Sequence, residues 1–436
     1  MNFLVLILIV LFSNLSSDAK PTQRQQAQAI LKAKCMDCHS NKTVYPWYYN
    51  MPGAKQLMDA DIQKGRAFLD LEKELFNIKD QKDIDPHVIK ELTAVIKSDS
   101  MPLIQYRLIH WDKIVTSQDK KILLDWLGSV NKNSSGDEPI EPLPQASELN
   151  LDSNKIALGK ILFHDKRLSG DNTLSCASCH DLAKGGTDQQ QFSTGIRGQK
   201  GHINSPTCLN ASCNILQFWD GRAKDLEAQA HGPVANPIEM GATWDQVVKK
   251  LAKDPQMVTQ FKKIYGIKSG NEITPDIVAN SIAEFEKSLI TSNSRFDQYL
   301  NGKKEILSTD EIKGYALFKK YNCTACHYGC AVGGASFQKM GVTRDYFSDR
   351  VKGLNGLRKM ALSVEDNGRF NVSKDPADKH KFKVPILRNI ALTYPYMHDG
   401  NVLSLEEAVR IMGEYEVGTK IPKQDIDLIV KFLKTL

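Results

Sequence analysis

Cys35-Met36-Asp37-Cys38-His39, Cys176-Ala177-Ser178-Cys179-His180 and Cys323-Thr324-Ala325-Cys326-His327 are three copies of one pattern, Cys-x-x-Cys-His. The pattern has a strong chemical reading. Two thiols at this spacing add across the vinyl groups of a porphyrin, and the adjacent His is held under the iron as its proximal ligand. A zinc site would pair each Cys-x-x-Cys with a second one, or with a pair of His nearby. Here each copy stands alone, roughly a domain length from the next. Three covalent c-type haems are therefore expected, attached through Cys35, Cys38, Cys176, Cys179, Cys323 and Cys326, with His39, His180 and His327 on the irons. The chain handles electrons.

Its length of 436 residues suits about three domains. A hydrophobic content of 41% and a charged content of 25% describe ordinary soluble globular material. The net charge of +6 falls to about +3 once each ferric haem with ionised propionates adds roughly −1. No basic tract is clustered, so no nucleic-acid partner is expected. The apolar run Phe3–Phe12 is short for a bilayer span. Residues 1–19 read as a signal peptide or an uncleaved N-terminal anchor, although no Lys or Arg precedes the run. Export agrees with c-type haem, which is attached outside the cytoplasm. Outside the motifs stand Cys208, Cys213 and Cys330. Cys208 and Cys213 are readable as a disulfide or as two buried thiols, and Cys330 as a packed thiol.

The polar, Pro- and Ser-rich stretch 131–148 reads as a linker. It separates an N-terminal mono-haem domain, 20–130, from two further haem domains, 149–295 and 296–436. The expected fold class is mainly α: three small cytochrome-like domains. Ser308 with Glu311 and Ser404 with Glu407 form capping-box patterns. Ile312, Tyr315 and Ala316 follow the first at helical spacing, and Leu405, Ala408, Val409 and Met412 follow the second. Ile426, Ile429, Val430 and Leu433 mark a further amphipathic helix. The lysines between Lys249 and Lys263 read as a solvated helix face.

The group opposite each His decides what a haem does. Met raises the potential and closes the site, whereas an empty position admits peroxide. Met101, followed by Pro102, is the candidate for the first haem, with Met51, Met58 and His110 as weaker competitors. Met412 is the candidate for the third. After His180 no Met occurs until Met240, and His202 is the one nearby His, so the middle iron is expected to be five-coordinate.

Several runs resemble the bacterial di-haem cytochrome c peroxidases. They include Leu158–Ser169 (LGKILFHDKRLS), Gly185-Gly186-Thr187-Asp188, Asn204-Ser205-Pro206, Gln217–Arg222 (QFWDGR), Glu239-Met240, Leu387–Thr393 (LRNIALT), Pro395–Gly400 (PYMHDG) and Ala408–Gly413 (AVRIMG). The N-terminal part, with Cys38–Tyr48 and Met101-Pro102, resembles the leading domain of tri-haem, membrane-associated quinol peroxidases. The resemblance implies that the last two domains form a di-haem peroxidase unit in the periplasm, soluble or held to the inner membrane by the N-terminal segment. It implies a peroxidatic haem at His180, with Glu239 as catalytic acid–base and Gln229 in the distal pocket. It places Trp219 as a bridge to the electron-transfer haem of His327 and Met412. It also implies a calcium ion on Asn204 and the carbonyls of Thr393 and Pro395, an all-oxygen set. The substrate implied is hydrogen peroxide; the donor is quinol or a small redox protein, a cytochrome c or a cupredoxin. Two departures matter. Many family members carry a capping His in the loop after Gly195, where this chain has Ile196-Arg197. The tryptophan-modifying branch has Tyr where Met412 stands. A rival reading is a non-catalytic multihaem electron carrier, its middle iron capped by His202 and Glu239 idle.

Overall fold

Helix Ser153–Phe163 crosses helix Pro275–Lys287 at Gly159, where an added Cβ would lie 1.9 Å from the Ser281 carbonyl oxygen. Helix Thr309–Lys320 crosses helix Lys423–Leu433 in the same way, with a Cβ on Gly314 only 2.0 Å from the Leu428 oxygen. In each case a helix before a motif packs backbone to backbone on the last helix of its lobe. The N-terminal lobe pairs the equivalent helices, Gln23–Lys34 and Ser117–Val130, and buries Ala27 of the first completely. The repeat therefore extends beyond the motifs to a helix pair that the sequence pattern does not display.

The computed structural model describes residues 21–80, 84, 86–97, 101–102, 104–130, 139–268 and 273–436. The apolar N-terminal segment and residues 131–138 of the expected linker lie outside the described residues. The described chain is mainly helical, with one short antiparallel pair, Phe337–Lys339 with Lys381–Lys383. Buried apolar side chains form three large clusters. One gathers Leu31, Leu75 and Trp126, a second Leu162, Phe163 and Phe261, and a third Phe296, Tyr346 and Phe432. The described end of the expected linker is itself sewn to the third cluster before the chain enters the second. Ile140 is buried there, Gly329 N–H donates to the Pro139 carbonyl at 2.9 Å, and Leu143 N–H donates to Asp297 Oδ1 at 3.1 Å.

Ser308 and Glu311 form the expected capping box. Ser404 caps its helix too, but Glu407 turns away to Arg410, so only half of that box exists. The apolar face of Thr309–Lys320 is rotated from the expected one: Gly314, Tyr315 and Phe318 are buried, while Ile312 and Ala316 are exposed. The close crossing at Gly314 sets that rotation. Lys250 is not simply solvated, because its ammonium donates to the Ser169 carbonyl at 2.6 Å.

Candidate active site

All three Cys-x-x-Cys-His segments fold into one tight turn, because the peptide N–H of each His reaches back to the carbonyl of its first Cys. The distances are 3.1 Å at His39, 2.9 Å at His180 and 2.9 Å at His327. Each ring then spends Nδ1 on a backbone carbonyl: Leu69 at 2.9 Å, Gly186 at 3.2 Å and Val332 at 3.3 Å. This fixes the tautomer and leaves Nε2 as the lone-pair nitrogen, as in a metal-ligating His. Burial lowers the pKa of all three rings, that of His327 to about 4, which holds them in the neutral, ligating form. The residues fit haem c.

A cavity of about 1470 Å³ is lined by both the first and the third motif. It exceeds the roughly 300–1,000 Å³ of a single small-molecule pocket. Met101 lines it beside Cys35, Cys38 and His39, and Met412 lines it beside His327, at the end of helix Leu405–Met412. Of the competitors for the first haem, Met51 is exposed, and His110 Nε2 is taken by the Tyr48 hydroxyl. The cavity also holds a buried cation. Among the described residues the Lys383 ammonium has one hydrogen-bond partner, the amide oxygen of Asn214 at 3.0 Å, and burial lowers its pKa to about 8. An anionic edge, such as the propionates of a haem, is the partner this ammonium needs.

The second motif is finished differently. Glu239 is half-buried in a turn after helix Leu226–Ala235, and partial desolvation raises its pKa. Its charge is felt at the Cys179 thiol of the second motif. Asn236 Nδ2 donates to Glu239 Oε1 at 2.8 Å, and Arg222 opposes the shift. Sequence reasoning missed Asn236; its signal was an Asn three residues before the acid, a spacing at which its side chain reaches the carboxylate. Gln229 is half-buried on the same helix that leads into this turn. The loop after Gly195 is pinned against Glu239. Ile196 N–H donates to the Glu239 carbonyl at 2.8 Å, Gln199 Nε2 donates to the Pro237 carbonyl at 2.9 Å, and the Ile196 side chain is buried. His202 is exposed.

Trp219 lies between these regions. Its Nε1 donates to the Asn204 carbonyl at 2.9 Å, and its own carbonyl accepts from Lys383 N–H at 2.8 Å. Its ring meets Phe382 and His398 edge-on, with centroids 6.5 and 6.3 Å away. His398, without an assigned role in the sequence, is buried and hydrogen-bonded to Asp366 at 2.8 Å. Fully buried Arg350 clamps Asp366 and Asp399, each at 2.6 Å, and holds Asp366 well below the usual carboxylate range together with His398. Trp219 is thus backed by a rigid charged lattice. Asn204 is itself buried, and its Nδ2 donates to the Gln190 carbonyl at 3.0 Å. Asn204, Thr393 and Pro395 all line the cavity. Among the described residues no cluster of His, Cys, Asp and Glu offers a metal site.

Comparison with known proteins identifies the family. A family model described as di-haem cytochrome c peroxidase matches residues 153–305, and one described as a haem-binding domain matches residues 9–129. Cytochrome c peroxidase Ccp of Escherichia coli K12 is 41% identical over 414 residues, 92% of this chain and 85% of that protein. Cytochrome c551 peroxidase of Nitrosomonas europaea is 46% identical over 302 residues, 69% of this chain and 85% of that protein. A crystal structure of a MauG-like protein associated with microbial copper homeostasis superposes with a TM-score of 0.59 at 30% identity, covering 70% of this chain and 95% of that one. The chain belongs to the bacterial di-haem cytochrome c peroxidase family, whose members are haem-dependent peroxidases.

Proposed function

We propose that this chain is a tri-haem peroxidase that reduces hydrogen peroxide to two waters with two electrons and two protons. Three domains, 20–130, 149–295 and 296–436, each hold one haem c through their Cys pair and His. The observation that carries the reading is the contrast across the motifs: Met101 and Met412 line the cavity of the first and third, and half-buried Glu239, its pKa raised by desolvation, acts on the second. The haem at His180, once bound, supplies a peroxide-binding iron. Glu239 takes the proton from the inner peroxide oxygen and returns it to the outer one, and burial brings its pKa closer to working pH for that shuttle. Asn236 orients it. Ile196-Arg197 offers no capping ligand and exposed His202 is not held over the site, so the resting oxidised enzyme is open. His39 with Met101, and His327 with Met412, would hold the two haems that relay electrons, and Trp219, on the wall of the same cavity, would carry them on towards the second motif. Asn204, Thr393 and Pro395 would hold a calcium ion beside the Asn204 carbonyl that anchors Trp219.

The donor is quinol, and the N-terminal lobe sits on the periplasmic face of the inner membrane. A run of surface aromatics supports this: Trp47 is 85% and Trp111 78% exposed, and they are joined through Tyr48 and His110. Amphipathic rings of this kind favour the lipid–water interface. A small protein donor is the rival. Its turnover would fall steeply with salt, whereas quinol turnover would fall on Trp47→Ser with Trp111→Ser.

The test of the peroxidase reading is rapid mixing of the oxidised holoprotein with stoichiometric peroxide while the Soret band is followed. A fast shift, much slowed in Glu239→Gln, is expected. Reaction only after haem reduction would show a capped middle iron, and no reaction in any redox state would leave an electron carrier. Haemochrome analysis should return three haems per chain.

A further inference from the structure

Of the three cysteines outside the motifs, two meet across the lobes. Cys213 ends the short turn Ala211–Cys213 in the lobe of the second motif, and Cys330 lies just past His327 in the lobe of the third. Their Sγ atoms are 3.5 Å apart although the residues are separated by 117 positions, and both are half-buried. The pairing that the sequence left open, Cys208 with Cys213, gives way to this one: Cys208 is 4% exposed, inside the second core.

The two sulfurs do not meet by the accident of one flexible loop. Ile215 N–H donates to the Gly334 carbonyl at 2.9 Å, and Ile215 packs on buried Tyr328 and Ala335. Lys383 reaches Asn214 from the far side at 3.0 Å. Cys330 is fixed from behind by Arg388, whose Nε donates to its carbonyl at 2.8 Å. That guanidinium is fully buried, pairs with Asp297 at 2.8 Å, and lies close enough to both thiols for each to act on it. The sulfurs need to close by only about 1.5 Å to reach the roughly 2.05 Å of an S–S bond.

We propose that Cys213 and Cys330 form a disulfide in the mature protein, a covalent lock between the lobe of Glu239 and the lobe of Met412. One thiolate attacks a sulfur of a small-molecule or protein disulfide, whose S–S bond breaks and whose other sulfur leaves as a thiol after taking up a proton. The second thiolate then attacks the mixed disulfide, forming the Cys213–Cys330 bond and releasing the second thiol. The pair loses two electrons, the incoming disulfide gains two, and the two cysteine protons end on the released thiols. Cys208 stays reduced.

The experiment is alkylation of denatured holoprotein, purified without reductant, followed by proteolysis and mass spectrometry. The thioether-linked motif cysteines do not alkylate. One alkylated cysteine, Cys208, and one cross-linked peptide holding Cys213 and Cys330 are expected, with three alkylated cysteines after phosphine treatment. If the pair is isolated reduced, oxidised glutathione should generate the same cross-link. Three alkylated cysteines both before and after oxidised glutathione would overturn the proposal, as would a cross-link through Cys208. A second readout is thermal. Phosphine should lower the unfolding midpoint by on the order of 5 °C, and it should leave Cys330→Ser unmoved. Ascorbate, which reduces haem but not a disulfide, should not mimic the shift in wild type; if it does, the lock is refuted.

Discussion

The lobes of the second and third motifs are built alike and completed differently. Both place a motif turn after a helix, both hold the His through Nδ1 on a carbonyl, and both cross their last helix at a glycine. In the third lobe Met412 lines the same cavity as His327. At the second motif the chain brings Glu239, held by Asn236 and backed by the pinned loop at Ile196. In the proposed function one scaffold serves two purposes, Met412 suiting electron transfer and Glu239 suiting peroxide chemistry. The proximal side, identical in both, carries no such information.

The sharpest way to break the comparison is at Glu239. Glu239→Gln should cut the rate of the peroxide reaction by about 100- to 10,000-fold, the usual worth of a positioned acid–base. Haem content should be unchanged, and stopped-flow absorbance measures the rate. Met412→Ala is the reciprocal change. It should lower the potential of the third haem and slow steady-state turnover several-fold while leaving the first reaction with peroxide intact, as read by redox titration beside single-turnover kinetics.

The shared scaffold is tested at its crossings. Ala for Gly stabilises an isolated helix by about 1 kcal/mol. Gly159→Ala and Gly314→Ala should nevertheless destabilise by roughly 1–3 kcal/mol, because the new Cβ meets a backbone oxygen that has nowhere to go. Ala27→Gly in the N-terminal lobe should cost no more than about 1 kcal/mol. Chemical denaturation ranks the three. The mildest effect is on pH. The shuttle begins with an ionised Glu239, and burial raises its pKa, so activity should fall with acidity at a pH above the ordinary glutamate value of about 4.3. Glu239→Gln should abolish that acid limb from the rate profile.

Much of this was legible in the chain because it depends on local covalent spacing. Cys-x-x-Cys-His places two thiols and an imidazole on one turn in any context, so the attachment sites follow from five residues at a time. Capping at Ser308 and the buried face of Lys423–Leu433 are equally local. The rotated face of Thr309–Lys320 was not legible, because periodicity shows that a helix has an apolar face but not where a glycine lets another backbone approach. The role of His398 was hidden for a similar reason. Its partners Asp366 and Phe382 are remote in sequence from it and from each other, and only the fold assembles them behind Trp219.

The sequence by itself therefore determined where the three haem-attachment motifs lie, that the chain is mainly helical, and which Met and Glu residues were worth suspecting. Tertiary structure alone decided that the first and third motifs share one cavity and that Cys213 faces Cys330 rather than Cys208. The physical reason is range. Covalent geometry acts over a few bonds and is written in the sequence. A meeting of side chains more than a hundred residues apart is settled by how helices pack, and packing depends on every residue at the contact.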